Sequence, residues 1–250
     1  MAAKFNLTKQ DANTLLKGPG KPLEKNLNGV SCHFQVAIPE YGRKIADHYA
    51  DLVEADFSGA CQRASIPFTF SAFGLVAEFD DPLEIELYDA EQRLYGNVKD
   101  AIAEFGILIL RNAYLATKFR DQGQKNIFPD LNFHVDRGSN QENLYSLFCR
   151  DPFDPIQKEP RKSSTLVIAN IVGFLQSRKE GQDPAGGQQT LYSIFKDTDL
   201  EPLINAVLLE QPWSAPEGTG EICVFDNRTV LHASYYRSGR GYPIGVRYLF

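Results

Sequence analysis

The chain has 250 residues with a formal net charge of −6, and 43% of its residues are hydrophobic. This is enough for one well-buried core and short for two domains. The acidic balance argues against nucleic acid or an anionic membrane surface as a partner, because both bind basic patches. No apolar run approaches the ~20 residues of a membrane span, no signal-peptide core precedes the first element, and the four cysteines are scattered. We therefore expect a cytoplasmic protein with reduced thiols.

Helical and extended segments alternate through the first hundred residues. A short helix is expected at 11–16, a strand at 29–36 and a second helix from residue 39 to about 53. An apolar stripe then predicts a helix over 89–105. Gly106 is expected to end it, and the unbroken aliphatic run that follows, residues 107–110, predicts a buried strand.

Extended segments dominate the rest of the chain. Strands are predicted at 127–136, 144–148, 165–169, 221–225 and 244–250, with helices near 171–175 and over 200–209. The segment 151–161 is a charged, proline-rich loop of the kind that folds over an active site. The pattern alone indicates only a mixed α/β chain.

His134 and Asp136 are the first candidate site residues. Residues two apart in a strand point to the same face, so this pair would present an imidazole beside a carboxylate. Roughly 0.5 such pairs are expected by chance from 4 His and 32 acidic residues, and a buried histidine bonded to its neighbour is the simpler interpretation of the pair alone. His232 follows 96 residues after Asp136 (232 − 136), which suits a partner strand. Two His and one carboxylate form the facial triad of non-haem Fe(II) oxygenases.

Two arginines follow His232. Arg240 lies between two glycines in a stretch typical of an exposed turn, whereas Arg247 belongs to the final apolar strand. We expect Arg247 to face a closed interior and to bind a carboxylate, because a buried guanidinium needs a partner. The alternative is that Arg247 faces outward or pairs with an internal acid such as Asp226.

These residues resemble the Fe(II)/2-oxoglutarate-dependent dioxygenases, nearest the taurine dioxygenase-like (clavaminate synthase-like) branch. The motif 134–136, the stretch 220–228, His232 and Arg247 carry the resemblance, and the segments 105–112 and 164–170 are also similar. It covers about residues 101–250. Phe133 stands where many relatives carry Trp, and Glu221 stands where Asp is usual.

The resemblance implies a mixed α/β fold with a mainly β core, a double-stranded β-helix (jelly-roll, cupin-like) flanked by helices. Residues 1–250 would form a single dioxygenase domain, in which 1–100 give helical and edge support and 101–250 form the jelly-roll with the metal site. It also implies catalytic and metal-binding roles for His134, Asp136 and His232. Arg247 would bind the far carboxylate of 2-oxoglutarate, with Thr165 as an added donor.

The implied reaction uses Fe(II), 2-oxoglutarate and O2 to hydroxylate or desaturate an unactivated C–H bond, with release of succinate and CO2. The carboxylate of Asp136 disfavours halogenation, because halogenases of this family lack it. Asp226 and Asn227 could orient His232, or could simply form a turn.

The substrate is expected to be a small polar, anionic molecule such as a free acid, an amino acid or a sugar acid. Arg137, Asn140, Gln141 and Arg150 lie just past the first ligands and could hold it, although a solvated loop accounts for them equally well. Two alternatives stay open: a cupin-type Zn or Mn isomerase, which usually adds a third His, and a non-catalytic ligand-binding barrel. The sequence leaves the oligomeric state open.

Overall fold

A computed structural model describes about half of the chain. The described residues are 1–18, 20–37, 74–120, 122–126, 131–134, 144–153, 162–170, 209–211, 220–227, 230–238 and 244–250. Of residues 37, 124–126, 131–134, 162–170, 209–211, 231 and 233–238 only the backbone is described. The predicted helices at 39–53, 171–175 and 200–209 therefore lie outside the described residues, except that Leu209, predicted as helix, is the first residue of a strand.

The described residues form thirteen strands and two α-helices. The strands are β1 (Ala3–Lys4), β2 (Leu23–Leu27), β3 (Val30–Ala37), β4 (Gly74–Glu86), β5 (Ile107–Leu115), β6 (Gln124–Asn126), β7 (Leu131–His134), β8 (Tyr145–Arg150), β9 (Lys162–Asn170), β10 (Leu209–Gln211), β11 (Glu221–Asp226), β12 (Val230–Ser238) and β13 (Ile244–Leu249). The helices are α1 (Lys9–Lys17) and α2 (Gly96–Phe105), and a short 3-10 turn spans Thr117–Phe119.

The strands form two sheets. The larger has the order β2-β3-β4-β5-β11-β8-β13-β6, with β1 paired to β4, and the smaller has the order β10-β9-β12-β7. β4 runs parallel to β1 and β5, and the other pairs are antiparallel. The mainly β core is therefore confirmed, whereas the jelly-roll connectivity stays a prediction. So does the division at residue 100, although strands from both parts share the larger sheet.

Local chemistry sets where the two helices begin. Thr8 caps α1, because its hydroxyl accepts the Asp11 amide at 3.2 Å and its own amide donates to the Asp11 carboxylate at 2.8 Å. The predicted start of α2 at residue 89 is wrong. Asp89 accepts the backbone amides of Glu91 and Arg93, each at 3.0 Å, and so forms a turn that holds the chain out of the helix until Gly96. Gly106, with φ of 79°, ends α2 as expected.

The strands β5, β8, β11 and β13 of the larger sheet are largely buried on both faces. One face, here called the outer face, carries Leu110, Leu147 and Val224 and packs against α1 and α2. The other, the inner face, carries Ile109, Phe148, Cys223 and Phe225 and packs against Val230 of the smaller sheet. Because side chains alternate along a strand, every position of β5, β8, β11 and β13 belongs to one face or the other. Among the described residues, neither helix has the length and apolarity to cross a membrane.

Candidate metal site and inner face

β7 and β12 are neighbours in the smaller sheet, and their register sets His134 directly opposite His232. Register partners in an antiparallel pair share a face of the sheet, so two positions 98 residues apart (232 − 134) meet there. The next pair is Ser234 with Leu131, two positions along β12 against three along β7. This extra residue is a β-bulge, a feature over-represented beside active sites.

His232 lies between the two sheets and is 3% exposed. Its ring centroid is 5.2 Å from that of Phe148 and 5.1 Å from that of Phe225, two inner-face residues whose own rings stack at 5.6 Å. The rings of Phe148 and Phe225 therefore surround the imidazole with apolar groups, and this packing fixes its orientation.

The described residues do not test the whole triad. They contain no group of three His, Cys, Asp or Glu side chains that could hold a metal, but Asp136 lies outside them and only the backbone of His134 is described. Arg137, Asn140, Gln141 and Arg240 also lie outside the described residues.

The positions of Thr165 and His232 lie on opposite faces of the smaller sheet. In the β9–β12 ladder His232 pairs with Ile168, and Thr165 pairs with Tyr235, three positions farther along. Three is an odd number, so alternation puts Thr165 on the face opposite to the His232 position. Ser164, which pairs with Tyr236, is a hydroxyl-bearing position of β9 that shares the His232 face.

Arg247 is buried, as expected, but its position does not fit the expected role in binding 2-oxoglutarate. It lies opposite Leu147, on the outer face, while its neighbour Val246 faces inward. Its Nη1 donates to Cys149 Sγ at 2.9 Å, and its Nη2 donates to the carbonyl oxygens of Phe119 and Arg120, each at 3.0 Å. Carbonyls and a thiol thus accept from the two Nη atoms of a guanidinium for which we expected a carboxylate, while its buried Nε has no hydrogen-bond partner among the described residues.

The part of the outer face around Arg247 is closed to solvent. Burial raises the pKa of Tyr88, against the opposing effect of the nearby Arg247 charge, so this residue is a neutral phenol. A Cβ at Gly245 would lie 2.8 Å from Nη1 of Arg247, so only glycine leaves room for the guanidinium there. Arg247 is therefore a structural element of the outer core.

Sequence reasoning named Arg150 as a candidate substrate contact but missed the charged row on the inner face to which it belongs. Glu221 on β11 lies between Arg111 on β5 and Arg150 on β8 in the two ladders. Glu221 is 1% exposed and Arg150 is 2% exposed, and Nε of Arg111 is 3.8 Å from Oε1 of Glu221. The available signal was a charged residue directly after the aliphatic run of β5, at the end of β8 and at the start of β11. Cys223, next on the same face of β11, has its pKa raised by burial and by the Glu221 charge, so its thiol is neutral.

Asn227 fits the turn interpretation. Its side-chain carbonyl accepts the Ser146 hydroxyl at 2.8 Å, and its backbone amide donates to the carbonyl of Leu144 at 3.0 Å. These bonds join the end of β11 to the start of β8, next to Phe225, which is the register partner of Ser146 and contacts His232.

Solved structures match this chain only at low similarity. No protein-family model matches it, and no curated protein does. PvcB, an Fe, α-ketoglutarate-dependent oxygenase from an isonitrile synthetic pathway, is 14% identical with a TM-score of 0.39, over 71% of this chain and 86% of that chain. A taurine dioxygenase from Burkholderia xenovorans is 12% identical with a TM-score of 0.37, over 70% and 86%. AAD-2 in complex with Mn(II) and N-oxalylglycine is 10% identical with a TM-score of 0.34, over 70% and 93%. At TM-scores this low, the case for a function rests on the residues of this chain.

Proposed function

We propose that the chain is a non-haem Fe(II)/2-oxoglutarate-dependent oxygenase that hydroxylates or desaturates a small, anionic molecule. The observation that carries the proposal is the β7–β12 register, which pairs His134 with His232. Asp136 follows His134 by two residues and supplies the carboxylate of the facial triad. Two His and one carboxylate are a donor set that suits Fe(II) and leaves positions open for small ligands.

His134, Asp136 and His232 would hold the iron. When bound, it supplies the activation of O2 that is coupled to conversion of 2-oxoglutarate to succinate and CO2. The chain's own contribution is a dry, rigid surround: the rings of Phe148 and Phe225 fix the His232 imidazole and exclude water from one side of it.

Binding of 2-oxoglutarate requires a cation and a hydroxyl near the metal. Arg247 was expected to be the cation, but it is turned to the outer face and its N–H groups are bonded to Cys149 and two carbonyls. Arg240 and the inner-face arginines are therefore the better candidates. For the hydroxyl we retain Thr165 and add Ser164, because its position shares the His232 face. Arg137, Asn140 and Gln141 stay candidates for the substrate.

A cupin-type isomerase has less support. It would call for a third His, and His33 lies in the larger sheet with its Nε2 3.1 Å from the Asp80 carboxylate, 38% exposed. His48 lies outside the described residues. A barrel that binds a ligand without metal would give no reason for His134, Asp136 and His232 to occur together.

Anaerobic addition of Fe(II) and 2-oxoglutarate tests the proposal. We expect a visible charge-transfer absorption band, and succinate release when O2 and an acidic metabolite mixture are supplied. His134→Ala and His232→Ala should abolish the band and the turnover, while the circular dichroism spectrum is retained. His33→Ala is the matched control and should keep both. Full turnover by either ligand variant with added Fe(II) would show that the ligand assignment is wrong.

A further inference from the structure

We infer that the inner-face row Arg111–Glu221–Arg150 binds the carboxylate of a small organic acid, with Arg150 as the principal contact. The inference rests on the proposed function only for the assignment of that acid to an oxygenase reaction. The acid is either 2-oxoglutarate or the substrate, which present the same group, and the experiment below separates the two.

The row lies two residues farther along β8 than the aromatic ring that contacts His232. Phe148, which contacts the His232 ring, and Arg150 are two residues apart on β8, so they share the inner face and are about 6.6 Å apart along the strand. Cys223 and Glu221 on β11 have the same relation, as do Ile109 and Arg111 on β5. A five-carbon diacid spans about 5 Å from C1 to C5 by its bond lengths. An acid with one end near His232 would therefore bring its other end to the row.

The charges of the row favour an anion. Two guanidinium groups flank one buried carboxylate, and Glu78, which lies opposite Arg111 on β4, is exposed to solvent. The buried pair Glu221 and Arg150 is neutral as a unit, and the partly exposed Arg111 gives the three side chains one net positive charge. Glu221 lies within ion-pair distance of Arg111 and opposite Arg150 in the β11–β8 ladder, and a bound carboxylate would use the bidentate geometry that arginine provides.

Energetics also favour a role in binding. Buried arginine–carboxylate groups contribute little to stability, and apolar residues of similar volume often replace them without loss. All other described inner-face positions of β5 and β11 up to Phe225 are apolar or thiol-bearing, so a hydrophobic row would continue the packing. The two ends of the row differ in exposure, because the side chain of Arg111 is 38% exposed while Arg150 is 2% exposed. The row therefore combines a buried contact with an end open to solvent.

Arg247 offers a matched comparison within the same protein. It is also buried, at 4% exposed, and lies on β13 beside β8, but on the outer face. A merely structural role of buried arginine would make the variants of Arg150 and Arg247 alike in acid binding. A ligand-binding role makes them differ.

The test is calorimetric titration of metal-free protein with glutarate and with 2-oxoglutarate, repeated with a panel of monocarboxylic acids and amino acids. Glutarate has both carboxylates of the co-substrate without the keto group that chelates a metal, so its binding is measured without turnover. We expect Arg150→Gln to weaken acid binding about 10- to 100-fold. Arg150→Lys should weaken it less, and Arg247→Gln should leave it unchanged in the folded protein. Glu221→Gln, which removes the internal counter-charge, should strengthen it.

The pattern of loss identifies the acid. Loss for glutarate and 2-oxoglutarate assigns the row to the co-substrate, and loss confined to the other acids assigns it to the substrate. If Arg150→Gln binds every acid as the wild type does, or if Arg247→Gln shows the same loss, the inference is overturned. Acid binding that depends on Arg150 in a protein without Fe(II)-dependent activity would retain this inference and refute the proposed function.

Discussion

Replacing Arg247 by Gln should destabilise the protein without weakening its binding of 2-oxoglutarate. The Arg247 side chain donates to two carbonyls and one thiol in a closed part of the outer core. Hydrogen bonds from a charged group contribute about 1.5–3 kcal/mol each, and a carbonyl left buried without a partner adds to the loss. We expect the free energy of unfolding to fall by about 3–5 kcal/mol, a large part of the ~5–15 kcal/mol that is typical of a domain.

Urea denaturation followed by circular dichroism measures this loss. With an m value of about 3 kcal/mol/M, the midpoint should fall by roughly 1–2 M while m is unchanged. Arg93→Gln is the control, since Arg93 is 62% exposed and its pairing with Asp89 is a surface interaction screened by solvent.

One result would refute this reasoning. The result is that Arg247→Gln has the same urea midpoint as the wild type but needs at least 30-fold more 2-oxoglutarate for binding (~2 kcal/mol). In that case Arg247 binds the co-substrate. The final strand would then have the opposite face orientation to the one described.

Three further outcomes are expected. Asp11 is partly desolvated, but hydrogen bonds from Lys25 and Thr8 outweigh this and hold its pKa below the ordinary value. Asp11→Asn should therefore lower the free energy of unfolding by about 1 kcal/mol at pH 7. In thermal melts the difference from wild type should vanish as pH falls below about 4, because only the ionised carboxylate gives this stabilisation. Gly220→Ala should lower stability by about 1–3 kcal/mol, since its Cβ would overlap the Ala113 carbonyl, whereas Gly96→Ala, in open space, should not; equal melting temperatures would contradict this. Proteolysis within 151–161 should slow when 2-oxoglutarate and substrate are added if this loop is a lid, and equal rates would favour a static loop.

Local sequence patterns predicted the helices and strands that are determined by residues close to them in the chain. The aliphatic run from Ile107 specified a buried strand, and the helix near Asp11 has its capping residue beside it. The start of α2 was misplaced because the side chain of Asp89 competes for backbone amides that a helix would use. A stripe of apolar residues cannot reveal that competition, since residues before a helix can be buried too.

The main feature that the sequence could not predict was the face of the sheet on which a residue lies. An alternating strand in a sheet with one buried face predicts which side chains are inside, but here β5, β8, β11 and β13 are largely buried on both faces. The sequence thus indicated that Arg247 is buried without indicating in which core. The charged row depends on the register of β5, β8 and β11, and Arg111 is 110 residues from Glu221 (221 − 111). Local sequence does not specify such a register.

The placement of β5 between β4 and β11 has a consequence for synthesis of the chain. Ile107 pairs with Phe225, 118 positions later (225 − 107). At about 5–20 residues per second, roughly 6–24 s pass between translation of these two residues. During that interval one edge of an aliphatic strand has unpaired backbone groups, the arrangement that recruits other chains into aggregates. Chains interrupted before residue 220 are therefore expected to be recovered as insoluble material or bound to chaperones.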